Sequence, residues 1–129
     1  MVWSYLWIAI GSAFGGVARF ACSRLVAENI AEVFPWGTLA LNVVGSFIIG
    51  FFDTLTGPEG RILAGTTARQ FVMIGICGGY TTFSSFSLQT LALARDGEWL
   101  RAFANIIAST VLCLAAVWIG HTAAAALNR

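Results

Sequence analysis

Apolar residues run along this chain in four uncharged blocks, residues 1–18, 33–52, 70–94 and 102–128, which are 18, 20, 25 and 27 residues long. A helix rising about 1.5 Å per residue needs roughly 20 residues to cross the hydrocarbon core of a bilayer. The pattern predicts an all-α integral membrane protein with four transmembrane helices, forming a single domain over residues 1–129. The first block carries no Lys or Arg, so it reads as a permanent span and not as a cleaved leader. The longest segment between blocks, residues 53–69, has 17 residues and includes Gly57, Pro58 and Gly60. No soluble domain fits there, so an enzyme is not expected.

Polar positions inside the blocks carry the next signal, because an uncharged polar group costs free energy in hydrocarbon unless it finds a partner or faces water. Asn42 stands at the centre of the second block, with Thr38 and Ser46 one helical turn to either side on the same face. The middle of the third block reads Gly78-Gly79-Tyr80-Thr81-Thr82-Phe83-Ser84-Ser85-Phe86-Ser87. Glycine costs about 1 kcal/mol relative to Ala in a helix interior, so a mid-membrane break is expected over residues 78–81. Backbone freed there needs partners. Its carbonyls could hold a small cation such as sodium, or nearby hydroxyls could satisfy a simple kink. In the fourth block Asn105, Ser109 and Cys113 share a face, with Ser109 either lining a pore or bonding back to its own helix.

Composition sharpens this picture. The chain is 58% hydrophobic and has 7 basic and 6 acidic residues, whereas soluble domains carry about a quarter charged residues. No block contains Asp, Glu, Lys or Arg, so the buried carboxylate of a proton-coupled carrier is missing and passive permeation is favoured. Asn, Ser and Thr offer both donors and acceptors, leaving the sign of a permeant ion open. Phe83 and Phe86 could turn electropositive ring edges to an anion, or simply pack. Arg19 could draw anions to a vestibule by its field, snorkel to headgroups, or pair with Glu28 or Asp53. Cys22, Cys77 and Cys113 form no metal-spaced motif and read, like His121, as ordinary packing residues.

Four spans put both termini on one side. Arg61, Arg69 and Arg129 then lie on that side and Arg19, Arg24, Arg95 and Arg101 on the other, nearly without bias. Such a chain could insert either way up and pair with an inverted copy, giving an antiparallel, dual-topology homodimer. The pairs Gly11 with Gly15, Ser12 with Gly16, Ser46 with Gly50 and Gly75 with Gly79 allow close helix contacts within or between subunits.

Three segments together resemble the Fluc (CrcB) family of fluoride channels: Gly15-Gly16-Val17-Ala18-Arg19-Phe20, Gly37-Thr38-Leu39-Ala40-Leu41-Asn42-Val43-Val44-Gly45-Ser46-Phe47, and Gly78-Gly79-Tyr80-Thr81-Thr82-Phe83-Ser84-Ser85-Phe86. The resemblance extends over nearly the whole chain. It implies a dual-topology homodimer in the inner membrane, with two antiparallel fluoride pores that passively export fluoride and so protect against its toxicity. By motif position, Asn42 would line the pore, Phe83 and Phe86 would be its aromatic residues, and Ser84 and Ser85 would belong to a polar track. Thr38 and Ser109 join this set from their polar stripes, and Arg19 matches an arginine near the entrance. Backbone carbonyls of Gly78 and Thr81 from both subunits would hold a central structural sodium ion. Tyr80 stands where the family often has Leu. Expected partners are fluoride, a second copy and the bilayer, and no nucleic acid. The rivals are a small proton-coupled multidrug exporter, which needs an acidic residue in its first span where this chain has Glu28 and Glu32 outside it, and a non-transporting assembly subunit.

Overall fold

A computed structural model describes residues 1–30 and 33–129. Glu32, assigned above to the segment after the first span, lies outside the described residues. Four helical stretches are long and apolar enough to cross a membrane: Val2–Asn29, Trp36–Leu55, Thr66–Arg95 and Trp99–Leu127. Large side chains such as Trp3, Phe14, Leu88 and Trp118 stand exposed on the outside. That surface suits lipid and not water, so the molecule is a multi-pass membrane protein.

Helix α1 covers Val2–Asn29 and α2 covers Trp36–Leu55. The third stretch is composite: α3 (Thr66–Gln70) runs into a π-helical segment, Phe71–Cys77, then α4 (Gly78–Tyr80) and α5 (Phe83–Arg95). Helix α6 covers Trp99–Leu127. Between α4 and α5 the backbone is extended, with φ −87° and ψ 156° at Thr81 and φ −149° and ψ 115° at Thr82. The turn from α5 into α6 passes through Gly97, whose φ of 78° is costly for any residue with a Cβ.

Two details differ from the sequence expectation. Helix α1 does not stop before Arg19: its 28 residues span about 42 Å, more than a bilayer core of about 30 Å. Its last turns carry the exposed Arg24–Glu28 ion pair (3.0 Å), so Glu28 lies at the far end of the first helix and not beyond it. Gly78 and Gly79 are helical, and the two non-helical residues are Thr81 and Thr82. Gly79 serves close approach instead of a break: a Cβ there would lie 2.7 Å from the Ser12 carbonyl oxygen of α1. Gly11 of α1 meets the third stretch in turn, where a Cβ would come within 2.6 Å of the Phe71 carbonyl oxygen.

Helix α1 therefore packs along residues 71–80, while α2 packs chiefly on α6 and α5 leans on α6. Beyond the end of α2 the connecting loop is tied down by polar bonds. Arg69 pairs with Asp53 and donates to Thr56 Oγ1. The Arg61 N–H donates to Asn128 Oδ1 at 2.8 Å, and Asn128 Nδ2 donates to the Thr54 carbonyl at 3.1 Å. His121 Nδ1 lies 2.7 Å from Thr54 Oγ1, which accounts for it as a packing and bonding residue.

Candidate functional site

The extended pair Thr81–Thr82 interrupts the helix after the Thr81 N–H, which still reaches the Cys77 carbonyl at 3.0 Å, so the groups left around it need other partners. Two side chains from different helices meet that demand. Asn42 of α2 accepts from the Thr82 N–H through Oδ1 at 2.8 Å and donates through Nδ2 to the Thr82 carbonyl at 3.1 Å. A side-chain amide presents the same groups as a peptide, so it pairs with an extended residue as a neighbouring strand would. One N–H of Nδ2 is left over. Arg19 of α1 donates from Nε to the Gly79 carbonyl at 3.2 Å.

Arg19 thus does not pair with Glu28 or Asp53, whose partners are Arg24 and Arg69. Nine residues along one helix separate Arg19 from Glu28 by roughly 13 Å, too far for contact. Its cation instead sits at the carbonyl-rich end of α4, where positive charge is favoured.

Thr82 also caps the helix that follows. Its Oγ1 accepts from the Ser85 N–H at 3.1 Å and lies 3.3 Å from Ser84 Oγ. The positive end of the α5 dipole therefore opens beside the extended pair.

A cavity of about 430 Å³ lies against this end. Asn42, Gly45, Ser46 and Ile49 line it from α2; Met73, Cys77 and Gly78 come from the segment before the extended pair; Thr81 and Thr82 come from the pair itself. Phe83 and Phe86 enter from α5, and Ser109, Thr110, Cys113 and Leu114 from α6. No charged side chain is among them. The two rings have centroids 5.3 Å apart and tilt by 49°; Phe83, at the rim, is 79% exposed in the single chain.

Behind the cavity wall runs a buried relay. Ser109 Oγ donates to Asn105 Oδ1 (3.3 Å), Asn105 Nδ2 donates to Thr90 Oγ1 (2.9 Å), and Thr90 Oγ1 donates to the Phe86 carbonyl (2.7 Å). Asn105 is 2% exposed. The relay ties the aromatic helix to α6.

The structure thus brings Asn42, Phe83, Phe86, Ser109, Gly78 and Thr81 to one cavity. Thr38 is buried in α2 outside the lining, and Ser84 and Ser85 lie in the first turn of α5, also outside it. Arg19 stands behind the extended pair. Ser46 completes the α2 stripe. Thr90 carries no sequence signal, because its partner Asn105 is on another helix, whereas the Thr82 cap is legible as a hydroxyl residue opening a helical run.

This chain resembles known proteins over nearly its whole length. The profile of the family described as CrcB-like protein, Camphor Resistance (CrcB) matches residues 6–121. A protein of Opitutus terrae named fluoride-specific ion channel FluC is 67% identical over 124 residues, covering 96% of this chain and 94% of the relative. Proteins of the same name from Methylocella silvestris and Paramagnetospirillum magneticum are 62% identical over 125 residues and 56% identical over 126. They cover 97% and 98% of this chain, and 95% and 98% of their own lengths. With residues 6–121 matched and relatives aligned nearly end to end, the chain belongs to the CrcB family.

Proposed function

We propose that this protein is a passive, fluoride-selective channel of the inner membrane that exports fluoride and so confers resistance to it. It works as an antiparallel homodimer with two pores, each running past Asn42, Phe83, Phe86 and Ser109. The relatives' shared name, fluoride-specific ion channel, supports the ion. The observation that carries the reading is the cavity itself: an uncharged, largely apolar pocket lined by Asn42, Phe83 and Phe86 at the N-terminal end of α5, where a spare amide N–H and ring edges are available to an ion.

Each of those groups favours negative charge. Helix N-termini attract anions, ring edges are electropositive, and an amide N–H can replace a water of hydration. A compact, strongly hydrated halide would exchange its shell for these donors stepwise. Donor spacing and pore width would discriminate against chloride. A lining without carboxylates speaks against a proton-coupled multidrug exporter.

In this reading the extended residues Thr81 and Thr82 form a break at mid-membrane depth, with a structural sodium ion held between two subunits by the Gly78 and Thr81 carbonyls. The donor set fits such an ion. Thr82 N–H, the helical donor to the Gly78 carbonyl, is taken by Asn42, and Thr81 is extended. Among the described residues no cluster of His, Cys, Asp or Glu competes for a metal. The ion would supply a fixed positive charge joining the two halves of the dimer. Exposed Phe83 is where the second copy would cover the pore.

Purified protein in fluoride-loaded liposomes should release fluoride to an ion-selective electrode and retain chloride. Phe83→Ile should lower the release by about three- to tenfold, the weight of one aromatic edge contact of roughly 0.5–1.5 kcal/mol, while the protein still elutes as a dimer. No release from the unsubstituted protein would defeat the channel reading, and undiminished release from Phe83→Ile the pore assignment.

A further inference from the structure

The backbone around residues 77–82 contains a diversion that the cavity alone does not require. In an uninterrupted helix the Thr82 N–H would bond to the carbonyl of Gly78, four residues back. Here that N–H points into the Asn42 side chain, at 2.8 Å from Oδ1, and the Asn42 amide locks the arrangement by donating to the Thr82 carbonyl at 3.1 Å. The neighbouring groups are otherwise settled. The Cys77 carbonyl receives both the N–H and the hydroxyl of Thr81, at 3.0 and 2.9 Å. The Gly79 carbonyl receives Arg19. Two carbonyls lose their helical donors to side chains: that of Gly78 through Asn42, and that of Thr81 because the Ser85 N–H bonds to Thr82 Oγ1 at 3.1 Å.

We infer that Asn42 is a positioning residue for the cation site: by holding the Thr82 N–H it frees the Gly78 carbonyl for sodium, so one amide serves the anion cavity with its spare N–H and the cation site with its oxygen. The inference rests on the sodium reading given above and goes beyond it by assigning a side chain of α2, which would touch no cation, to the affinity for one. A carbonyl already bonded to an N–H has a lone pair taken and a positive hydrogen beside the cation, and releasing it would first cost that hydrogen bond. With Asn42 present the cost is met during folding.

The test titrates sodium against the thermal midpoint of the purified dimer in detergent, followed by its five tryptophans, with N-methylglucamine as the replacing cation and no fluoride present. Asn42→Leu keeps the size of the side chain and removes both bonds. Its sodium midpoint should rise by about tenfold, the scale of one competing hydrogen bond. Asn42→Asp keeps an oxygen for the Thr82 N–H, so its midpoint should stay within about threefold of the unsubstituted value or fall below it. Thr122→Ala, an exposed position on α6 that bonds only to the Trp118 carbonyl of its own helix, should leave the sodium midpoint unchanged. Destabilisation alone would lower every melting temperature without moving the sodium midpoint. An Asn42→Leu midpoint equal to the unsubstituted one overturns the inference and leaves the sodium site standing. Should the Leu variant fail to assemble, a tenfold weakening in Asn42→Asp overturns it equally. Absence of any sodium response in the unsubstituted protein removes the sodium site and this inference with it.

Discussion

Ser109 and Asn105 show how a hydroxyl can lie in a cavity and yet have its polarity set from behind. The Ser109 hydrogen points to Asn105 Oδ1, so the lone pairs of its oxygen are what remain for the cavity. An anion passing it gains a donor only if the hydroxyl rotates away from Asn105. Ser109→Ala should therefore reduce fluoride release less than Phe83→Ile does in the same liposome assay. Asn105 is a different case, because its amide is buried and bonded at both ends. Removing it in Asn105→Ala opens a void and strands Thr90 and Ser109 at a cost of about 2 kcal/mol. That loss should appear as a lower thermal midpoint in detergent. The sequence marks Asn105 and Ser109 by their shared face, but the bond to Thr90 links α5 to α6 and leaves no trace in spacing.

Among the elements, the contact of α1 with residues 71–80 depends on glycine where backbones touch. A methyl group at Gly79 or Gly11 would press on a main-chain oxygen that has nowhere to go. Gly79→Ala and Gly11→Ala should each destabilise the protein by about 1–3 kcal/mol, the range for overpacked cores. Gly16, whose Cβ position is open, is the control: Gly16→Ala should be neutral or stabilising by up to about 1 kcal/mol from helix propensity alone. Melting curves of the three variants in one detergent check the ordering. The sequence reading took glycines 78 and 79 as a sign of irregular backbone, since glycine is weak in helices. In the structure Gly79 is helical and buys contact with Ser12, and the extended residues are the two threonines that follow. Composition could not separate these uses of glycine, because the partner helix is some sixty residues away in sequence.

For the whole molecule, the near balance of basic residues at the two ends carries the proposed dual topology. Asp96→Lys with Arg129→Gln shifts the excess to one end. Glu59→Lys with Arg24→Gln and Arg95→Gln shifts it to the other. Either chain expressed alone should insert one way up and lose fluoride release, and expressing both together should restore it, as antiparallel pairing requires. Release from either biased chain alone would remove the antiparallel dimer from the proposal.

Four long uncharged blocks already determine a four-span helical membrane protein, because the bilayer's thickness and its intolerance of unbonded polar groups leave few alternatives. The grouping of Asn42, Phe83 and Phe86 was legible too, since mid-block polar residues and motif order single them out. Only the tertiary structure decided which polar atoms are spent on the protein itself. Asn42 gives both ends of its amide to Thr82, Arg19 gives its Nε to Gly79, and Ser109 gives its hydrogen to Asn105. Spacing along one helix reports which residues share a face; which donor meets which acceptor depends on how separate helices dock, and that is settled by packing between segments far apart in the chain.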